Sequence, residues 1–280
     1  MIRDTSPLSK LWIAAVWLIT GFFVLNVLAV ILAVLTSSFG TRWLGTWFPD
    51  GFTTRWYAAA WAEFQLDHVL VVTFQIVLTV VLLSGLLGVT AAYAMARRDF
   101  YGKKIVMLIF LLPLLVPPIT FGIPLATVLY KVGVGGTFWG VVLANLVPTV
   151  PFVILVMIPF IEQIDPKIEA AARVFGAGTF KLFRHVLLPM LIPGILAAML
   201  LVLVRTVAMF ELTFLTAGPT SQTLVVALYY SVFAAGVRSV QSIDAMAVIY
   251  MITSLIWLLI ALRFVNPTQI VARNRQPSAQ

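Results

Sequence analysis

Cysteine is absent from the 280 residues, and histidine occurs only twice. Without cysteine the chain has no disulfides, thiolate nucleophiles or cysteine-ligated metals. The two histidines, His68 and His185, are expected at opposite faces of a membrane and cannot share a metal ion. The sequence therefore predicts no metal site and no cofactor.

Charged residues are also scarce. They make up 10% of the chain, against 62% hydrophobic residues, and the mean hydropathy is +1.07. A soluble domain of this length does not have such a composition, so we predict an all-α polytopic protein embedded in membrane lipid. A net charge of +8 is also found in proteins that bind nucleic acid. However, the basic residues are distributed as topology signals rather than as one patch, and no nucleic-acid partner is predicted.

Catalytic motifs are missing as well. No G-x-x-x-x-G-K-[ST] phosphate loop occurs, and Gly176-Ala177-Gly178 lacks both its spacing and its lysine. Intramembrane proteolysis would need paired aspartates or a Ser–His set within the spans, and neither is found. We predict no catalytic residues.

What the chain does contain is long apolar stretches, six of which are long enough to cross a bilayer as helices. The first lacks an A-x-A cleavage motif, so we interpret it as a retained span rather than a signal peptide. The third and fourth are rich in proline and should be kinked. The six stretches are about 11–35, 69–96, 105–130, 137–161, 188–213 and 245–264.

A polar interval at 36–66 holds a group of aromatic residues: Trp43, Trp47, Trp56, Tyr57 and Trp61. They suit a short helix on the membrane surface, capped by Thr53 or Thr54. Contact with a soluble partner is the alternative.

Charge placement predicts the topology. With six spans, thirteen of the 18 basic residues share the side of both termini; four (Arg42, Arg55, Lys131, Arg238) lie opposite, and Arg205 lies inside the membrane. The positive-inside rule then places both termini in the cytoplasm. The short apolar piece 223–237 is interpreted as a re-entrant or surface helix on the outer side, because a seventh span would export the C-terminal arginines.

The longest charged segment between spans in the second half, residues 165–187, is predicted to form two short helices outside the bilayer. Asp165 and Pro166 are a favourable helix start. Helical spacing places four apolar residues on one stripe: Ile168, Ala171, Ala172 and Phe175. Gly176 and Gly178 should end this helix, and Thr179 can cap a second one, with Phe180, Phe183 and Leu187 on one side.

This segment resembles the EAA loop of permease subunits of type I ATP-binding cassette importers. The family pattern is E-A-A, three residues, glycine, nine residues and then Ile-x-Leu-Pro. Here Ala171-Ala172-Arg173-Val174-Phe175-Gly176 fits, and after nine residues Val186-Leu187-Leu188-Pro189 closes the pattern. Ala170 stands at the usual glutamate position, with Glu169 one residue earlier. The likeness covers about 64–264 and includes the proline-rich run 111–118.

The resemblance implies a six-span importer fold in a bacterial inner membrane, paired with a second homologous permease subunit. It also implies two ATP-binding subunits and an extracytoplasmic solute-binding protein as partners. Residues 1–65 would form an N-terminal span and outer loop, 66–265 the permease core with its coupling loop 165–187, and 266–280 a cytoplasmic tail. The ATPase-coupling residues would be Glu169, Ala170, Ala171, Arg173, Phe175, Gly176 and Phe180.

Polar residues inside spans are candidates for the solute path. Arg205 and Glu211 are costly in an apolar span, so each should face another helix, a second subunit or solute. Asn145 is a further candidate, for the path or for a helix–helix hydrogen bond.

The solute is expected to be a small polar organic molecule, either a sugar or sugar derivative or a polyamine. The alternatives to an importer subunit are a self-sufficient secondary transporter or channel and a structural membrane anchor.

Overall fold

The computed structural model describes residues 7–43, 46–233 and 239–264, and most of these residues are helical. Within them no β-strand forms beyond two isolated bridges, Gly40 with Phe52 and Gly136 with Ala217. The all-α prediction is confirmed. Arg238 and the predicted tail 266–280 lie outside the described residues.

The helices follow one another with short connections. They are α1 (Pro7–Phe39), α2 (Arg55–Glu63), α3 (Leu66–Arg97), α4 (Lys103–Leu115), α5 (Pro118–Lys131), α6 (Phe138–Glu162), α7 (Pro166–Val174), α8 (Thr179–Leu182), a π-helical turn (Phe183–Leu187), α9 (Leu188–Val207), α10 (Glu211–Thr216), α11 (Leu224–Phe233) and α12 (Val240–Phe264).

Five helical stretches in the described ranges are long and apolar enough to cross a membrane. The pair α4 and α5 adds a sixth if it counts as one span, in agreement with the predicted number. The kink predicted in the proline-rich stretch at 105–130 is present as a break between the two helices, which are bent by 102°. Val116 and Pro117 are extended at the break, since a residue before proline is disfavoured in the α conformation.

The chain divides into two units. Unit one comprises residues 1–65 and 231–251, and unit two comprises 66–230 and 252–280. In unit one, the short helix predicted in the polar interval is confirmed as α2. Of the two predicted capping residues, Thr53 accepts a hydrogen bond from the Arg55 N–H at 3.2 Å through its Oγ1, and Thr54 makes no side-chain cap.

In unit two, α3 packs closely on α6 and α9 because glycines remove side chains at the contacts. A Cβ on Gly88 would lie 2.5 Å from Val153 Cβ, and one on Gly85 would lie 2.6 Å from Met199 Sδ. Small residues allow this approach between membrane helices.

The fifth predicted span, 188–213, is wrong at both ends. Helical structure runs without interruption from Thr179, so the second short helix is the start of the span rather than a separate element. The helix ends at Val207, and α10 begins at Glu211. Met209 and Leu212 are buried in one cluster with Leu129, so packing directs a break that no proline or glycine signals.

The apolar piece near 223–237 forms the ten-residue helix α11, too short to span a bilayer. This confirms the prediction that the apolar piece forms a short helix and not a seventh span. Its first N–H, on Leu224, donates to Thr73 Oγ1 at 2.9 Å. The side of the membrane stays a prediction, and residues 234–237 lie outside the described ranges.

Candidate functional site

The first region with functional potential is the 165–187 loop between α6 and α9. Asp165 caps α7 as predicted, since its Oδ1 accepts the Lys167 N–H at 2.8 Å. Pro166 occupies the first helical turn. The chain then turns at Gly176 with φ +82°, a left-handed value that glycine adopts without strain. The short first helix and its glycine end are confirmed.

The α7 helix exposes apolar side chains and buries its carboxylate. Phe175 is 90% exposed, and Phe180, beyond the glycine turn, is 73% exposed. Val174 is exposed beside them, whereas Glu169 is only 8% exposed. An exposed aromatic and aliphatic tip of this kind marks a contact surface for another molecule or for lipid.

Glu169 is buried because it joins a polar cluster at the end of α3. Arg97 Nε donates to Glu169 Oε1 at 2.7 Å, and the Tyr93 hydroxyl donates to Oε2 at 2.6 Å. A second nitrogen of Arg97 donates to the Ile164 carbonyl, just after α6. We call Tyr93, Arg97 and Glu169 the anchor triad.

The anchor triad fixes the loop to two membrane helices at once. The Arg97 and Glu169 side chains are only 13% and 11% exposed. At such burial, removing one partner of an ion pair costs about 3–5 kcal/mol, because the other charge is left unpaired. The loop is therefore held to the end of α3 and to Ile164, just after α6, rather than lying as a free surface helix.

A second contact joins the loop to α3, and the loop continues directly into α9. Phe183 packs edge-on against Tyr93, with ring centroids 6.3 Å apart. The π-helical turn Phe183–Leu187 continues into α9 without a break. A displacement of the loop tip would thus reach α3 through the anchor triad and α9 through the helix axis.

The seven predicted coupling residues occupy different positions in this arrangement. Ala170, Ala171, Arg173, Phe175, Gly176 and Phe180 are exposed, and Glu169 alone is buried. Sequence reasoning missed Tyr93 and counted Arg97 only as a topology signal. The spacing Tyr-x-x-x-Arg was the available clue, because it places a hydroxyl and a guanidinium on one helix face.

The second region lies at the break between α9 and α10. The prediction that Arg205 and Glu211 share one helix is wrong, because Arg205 lies in the last turn of α9 and Glu211 is the first residue of α10. Both side chains are half-buried. Arg205 lies 5.4 Å over the Phe152 ring, and in the described ranges no ion pair joins it to Glu211.

Asn145 connects this region to α6. The side chain is 1% exposed, and its Nδ2 donates to Thr213 Oγ1 at 3.2 Å and to the Val141 carbonyl at 2.9 Å. The expected helix–helix hydrogen bond is therefore present. Asn145 Oδ1 is buried without a hydrogen-bond partner among the described residues. The amide retains unused acceptor capacity beside the helix break.

Sequence reasoning also missed an aromatic cluster next to Glu211. Phe210 and Phe214 stack at 5.2 Å, and Tyr229 packs against both at 4.9 and 5.0 Å. No periodic pattern links these residues, which come from two helices joined by an irregular turn. The described residues contain no group of three or more His, Cys, Asp or Glu side chains arranged to hold a metal ion.

A family model matches this chain over residues 84–271, more than half of its length. The family is described as the binding-protein-dependent transport system inner membrane component. The match begins inside α3 and includes the anchor triad, the loop tip and the helix break.

Individual relatives are consistent with that family. The molybdenum transport permease ModB of Haemophilus influenzae is 32% identical over 160 residues, covering 51% of this chain and 69% of that protein. The spermidine/putrescine permease PotC of Escherichia coli K12 is 24% identical over 240 residues, covering 86% and 85%. The diacetylchitobiose permease NgcG of Streptomyces coelicolor is 29% identical over 149 residues, covering 53% and 49%.

Solved structures share the fold. A chain of a bacterial ABC transporter that imports the acidic polysaccharide alginate matches with TM-score 0.73 and 16% identity, covering 98% of this chain and all of that one. A chain of the MetNI methionine ABC transporter, in an inward-facing conformation, matches with TM-score 0.53 and 16% identity, covering 71% and 95%.

Proposed function

Since the chain belongs to the family of binding-protein-dependent transport system inner membrane components, we propose that it forms half of the membrane path of an ATP-binding cassette importer. The other half would come from a second homologous permease. Two separate ATP-binding subunits would hydrolyse ATP, and an extracytoplasmic solute-binding protein would deliver the solute. Both termini would lie in the cytoplasm.

One observation supports the coupling role above all others: the exposed tip of the 165–187 loop stands on a buried polar anchor. Val174, Phe175 and Phe180 offer an apolar surface that a cleft of an ATP-binding subunit could cover. Arg173 is exposed beside them and can pair with a carboxylate of that subunit.

The anchor triad and the continuous helix explain how a movement of the tip would reach the solute path. Closure of the ATP-binding subunits would pull on the tip, and the load would pass to α3 through Arg97 and to α9 through the π-helical turn. Rigid-body switching between two helix packings would then expose the path to alternate sides.

We place the solute path near Arg205, Glu211 and Asn145. The two charged side chains are half-buried without a mutual ion pair in the described ranges, and intramembrane charges usually face a partner or a wet cavity. The neighbouring aromatic cluster suits the apolar faces of a sugar or the methylene chain of a polyamine. A small polar organic solute of one of these two kinds fits the group.

The coupling role is tested by Phe175→Asp in the complete transporter. Placing a charge on a surface that must become buried should abolish co-purification of the ATP-binding subunits while the chain still inserts in the membrane. Tyr101→Asp is the matched control, because Tyr101 is also a fully exposed aromatic residue in a loop on the predicted cytoplasmic side. It should leave co-purification intact.

Two results would refute the proposal. Retained co-purification in Phe175→Asp would show that the tip is not the docking surface. Solute uptake into vesicles by the chain without any ATP-binding subunit would favour a self-sufficient transporter instead.

A further inference from the structure

A cavity of about 720 Å³ lies within unit one, where the end of α1, the following loop and the start of α12 meet. None of the residues assigned above to coupling or to the solute path lines it. Its lining includes polar and aromatic side chains: Ser37, Arg42, Trp43, Arg55, Trp56 and Asp244.

The loop that forms one wall is fixed by its own hydrogen bonds. The Asp50 N–H donates to the Arg42 carbonyl at 3.0 Å. The Trp56 indole Nε1 donates to the Gly40 carbonyl at 2.7 Å, which joins α2 to the end of α1. The arginines and tryptophans therefore project from structured backbone.

Charges of both signs face this one cavity. Arg42 and Arg55 are exposed, and the Arg55 guanidinium lies 4.2 Å over the Trp56 ring. Asp244 is half-buried in the second turn of α12 and lines the same cavity as Ser37. In the described ranges no ion pair joins Asp244 to either arginine. The cavity thus offers separate partners for an anion and for a cation.

We propose that this cavity binds the headgroup of a phospholipid that carries both a phosphate and a primary ammonium group, as phosphatidylethanolamine does. The two guanidinium groups match the phosphate oxygens, and the Asp244 carboxylate accepts the ammonium hydrogens. The volume lies in the range of small-ligand sites, about 300–1,000 Å³.

The surroundings favour a lipid over a water-soluble ligand. Trp43 and Trp56 line the cavity, and tryptophan is a residue type that membrane proteins concentrate at headgroup level. Val30 and Leu32 on α1, within one turn of the cavity lining, are exposed and apolar. Acyl chains can lie along them while the headgroup occupies the cavity.

The test is native mass spectrometry of the full chain, purified with its partner subunits and equilibrated with equal amounts of phosphatidylethanolamine, phosphatidylcholine and phosphatidylglycerol. The wild type should retain phosphatidylethanolamine over the other two. Asp244→Asn should reduce that preference roughly tenfold, the effect of losing one charge-assisted hydrogen bond. Arg42→Gln and Arg55→Gln should weaken retention of all three lipids, and the exposed control Lys131→Gln should change nothing.

Equal retention of the three lipids by the wild type, or an unchanged preference in Asp244→Asn, would overturn the proposal. Displacement of the lipid by an equal concentration of free phosphoethanolamine would also overturn it, because the ligand would then be a soluble solute. If Asp244→Asn unfolds, Asp244→Glu must keep the preference. The measurement does not involve transport. The lipid proposal can therefore be refuted while the importer role stands, and the importer role can be refuted while lipid binding stands.

Discussion

The anchor triad and the α9–α10 break differ in whether their buried polar groups are hydrogen-bonded within the chain. In the triad, both oxygens of Glu169 receive a hydrogen bond from within the chain. At the break, Asn145 Oδ1 has no partner among the described residues, and Arg205 contacts an aromatic face. In the first region the buried polar groups are satisfied within the chain, and the exposed aromatic and aliphatic side chains are apolar. The second keeps polar groups available for water, solute or another subunit.

This difference fits the two roles proposed above, coupling for the triad and solute passage for the helix break. A joint that transmits force must be rigid, so its polar groups should be satisfied internally. A path that solute crosses must exchange partners, so its polar groups should be incompletely satisfied in any one state. The predictions below test whether stability and transport separate in this way.

The largest effect is expected from breaking the triad. Arg97→Met leaves the Glu169 carboxylate buried and unpaired, which should cost about 3–5 kcal/mol of folding free energy. Thermal unfolding in detergent measures this loss, and Arg98→Met, at an exposed neighbour, should cost little. Adding Glu169→Gln to Arg97→Met should restore part of the stability, because the unpaired charge is gone. No rescue in the double variant would contradict an internally satisfied joint.

A smaller effect is expected at the loop tip. Gly176→Val places a β-branched side chain at φ +82°, which costs about 1–2 kcal/mol. Neither Gly176 nor Gly178 has an atom within 4 Å of an added Cβ, so Gly178→Val, at φ −67°, is a control without strain. Affinity for the ATP-binding subunits should fall roughly tenfold in the first variant only. Equal affinities would show that the tip conformation is unimportant for docking.

The smallest change in stability is expected at the helix break. Thr213→Val removes the hydrogen bond from Asn145, and such interhelical bonds are worth about 0.6 kcal/mol on average. Thr149→Val is the control, because the Thr149 hydroxyl bonds only to the Asn145 carbonyl on its own helix. Uptake should fall more in Thr213→Val than in Thr149→Val although both remain folded. The same uptake in both variants would remove Asn145 and Thr213 from the solute path.

Local sequence signals predicted the first helix of the loop and its end, but not that the second helix would continue into α9. Asp165 and Pro166 start α7, and Gly176 turns the chain, because capping and left-handed turns depend on a few adjacent residues. The anchor triad did not follow, because Glu169 is 72 residues from Arg97 in the chain and a basic residue at a span end already has a topological explanation.

The membrane region shows where such signals stop. The prolines at Pro117 and Pro118 showed where the helix is interrupted. They could not show the size of the bend, because the same residues are compatible with a mild kink and with the observed 102°. The end of α9 at Val207 had no local signal at all, since burial of Met209 and Leu212 determines it. Periodicity reports which residues are apolar and cannot tell which neighbour will cover them.

The π-helical turn at Phe183–Leu187 has a geometric consequence for the helix above it. Such a turn holds about one residue more than an α-turn, and one residue corresponds to about 100° of rotation. The turn therefore sets the angular position of every side chain from Leu188 to Val207, including Arg205, relative to the loop tip. Deleting one residue there would swing that whole face towards a different neighbour and leave the tip as it was.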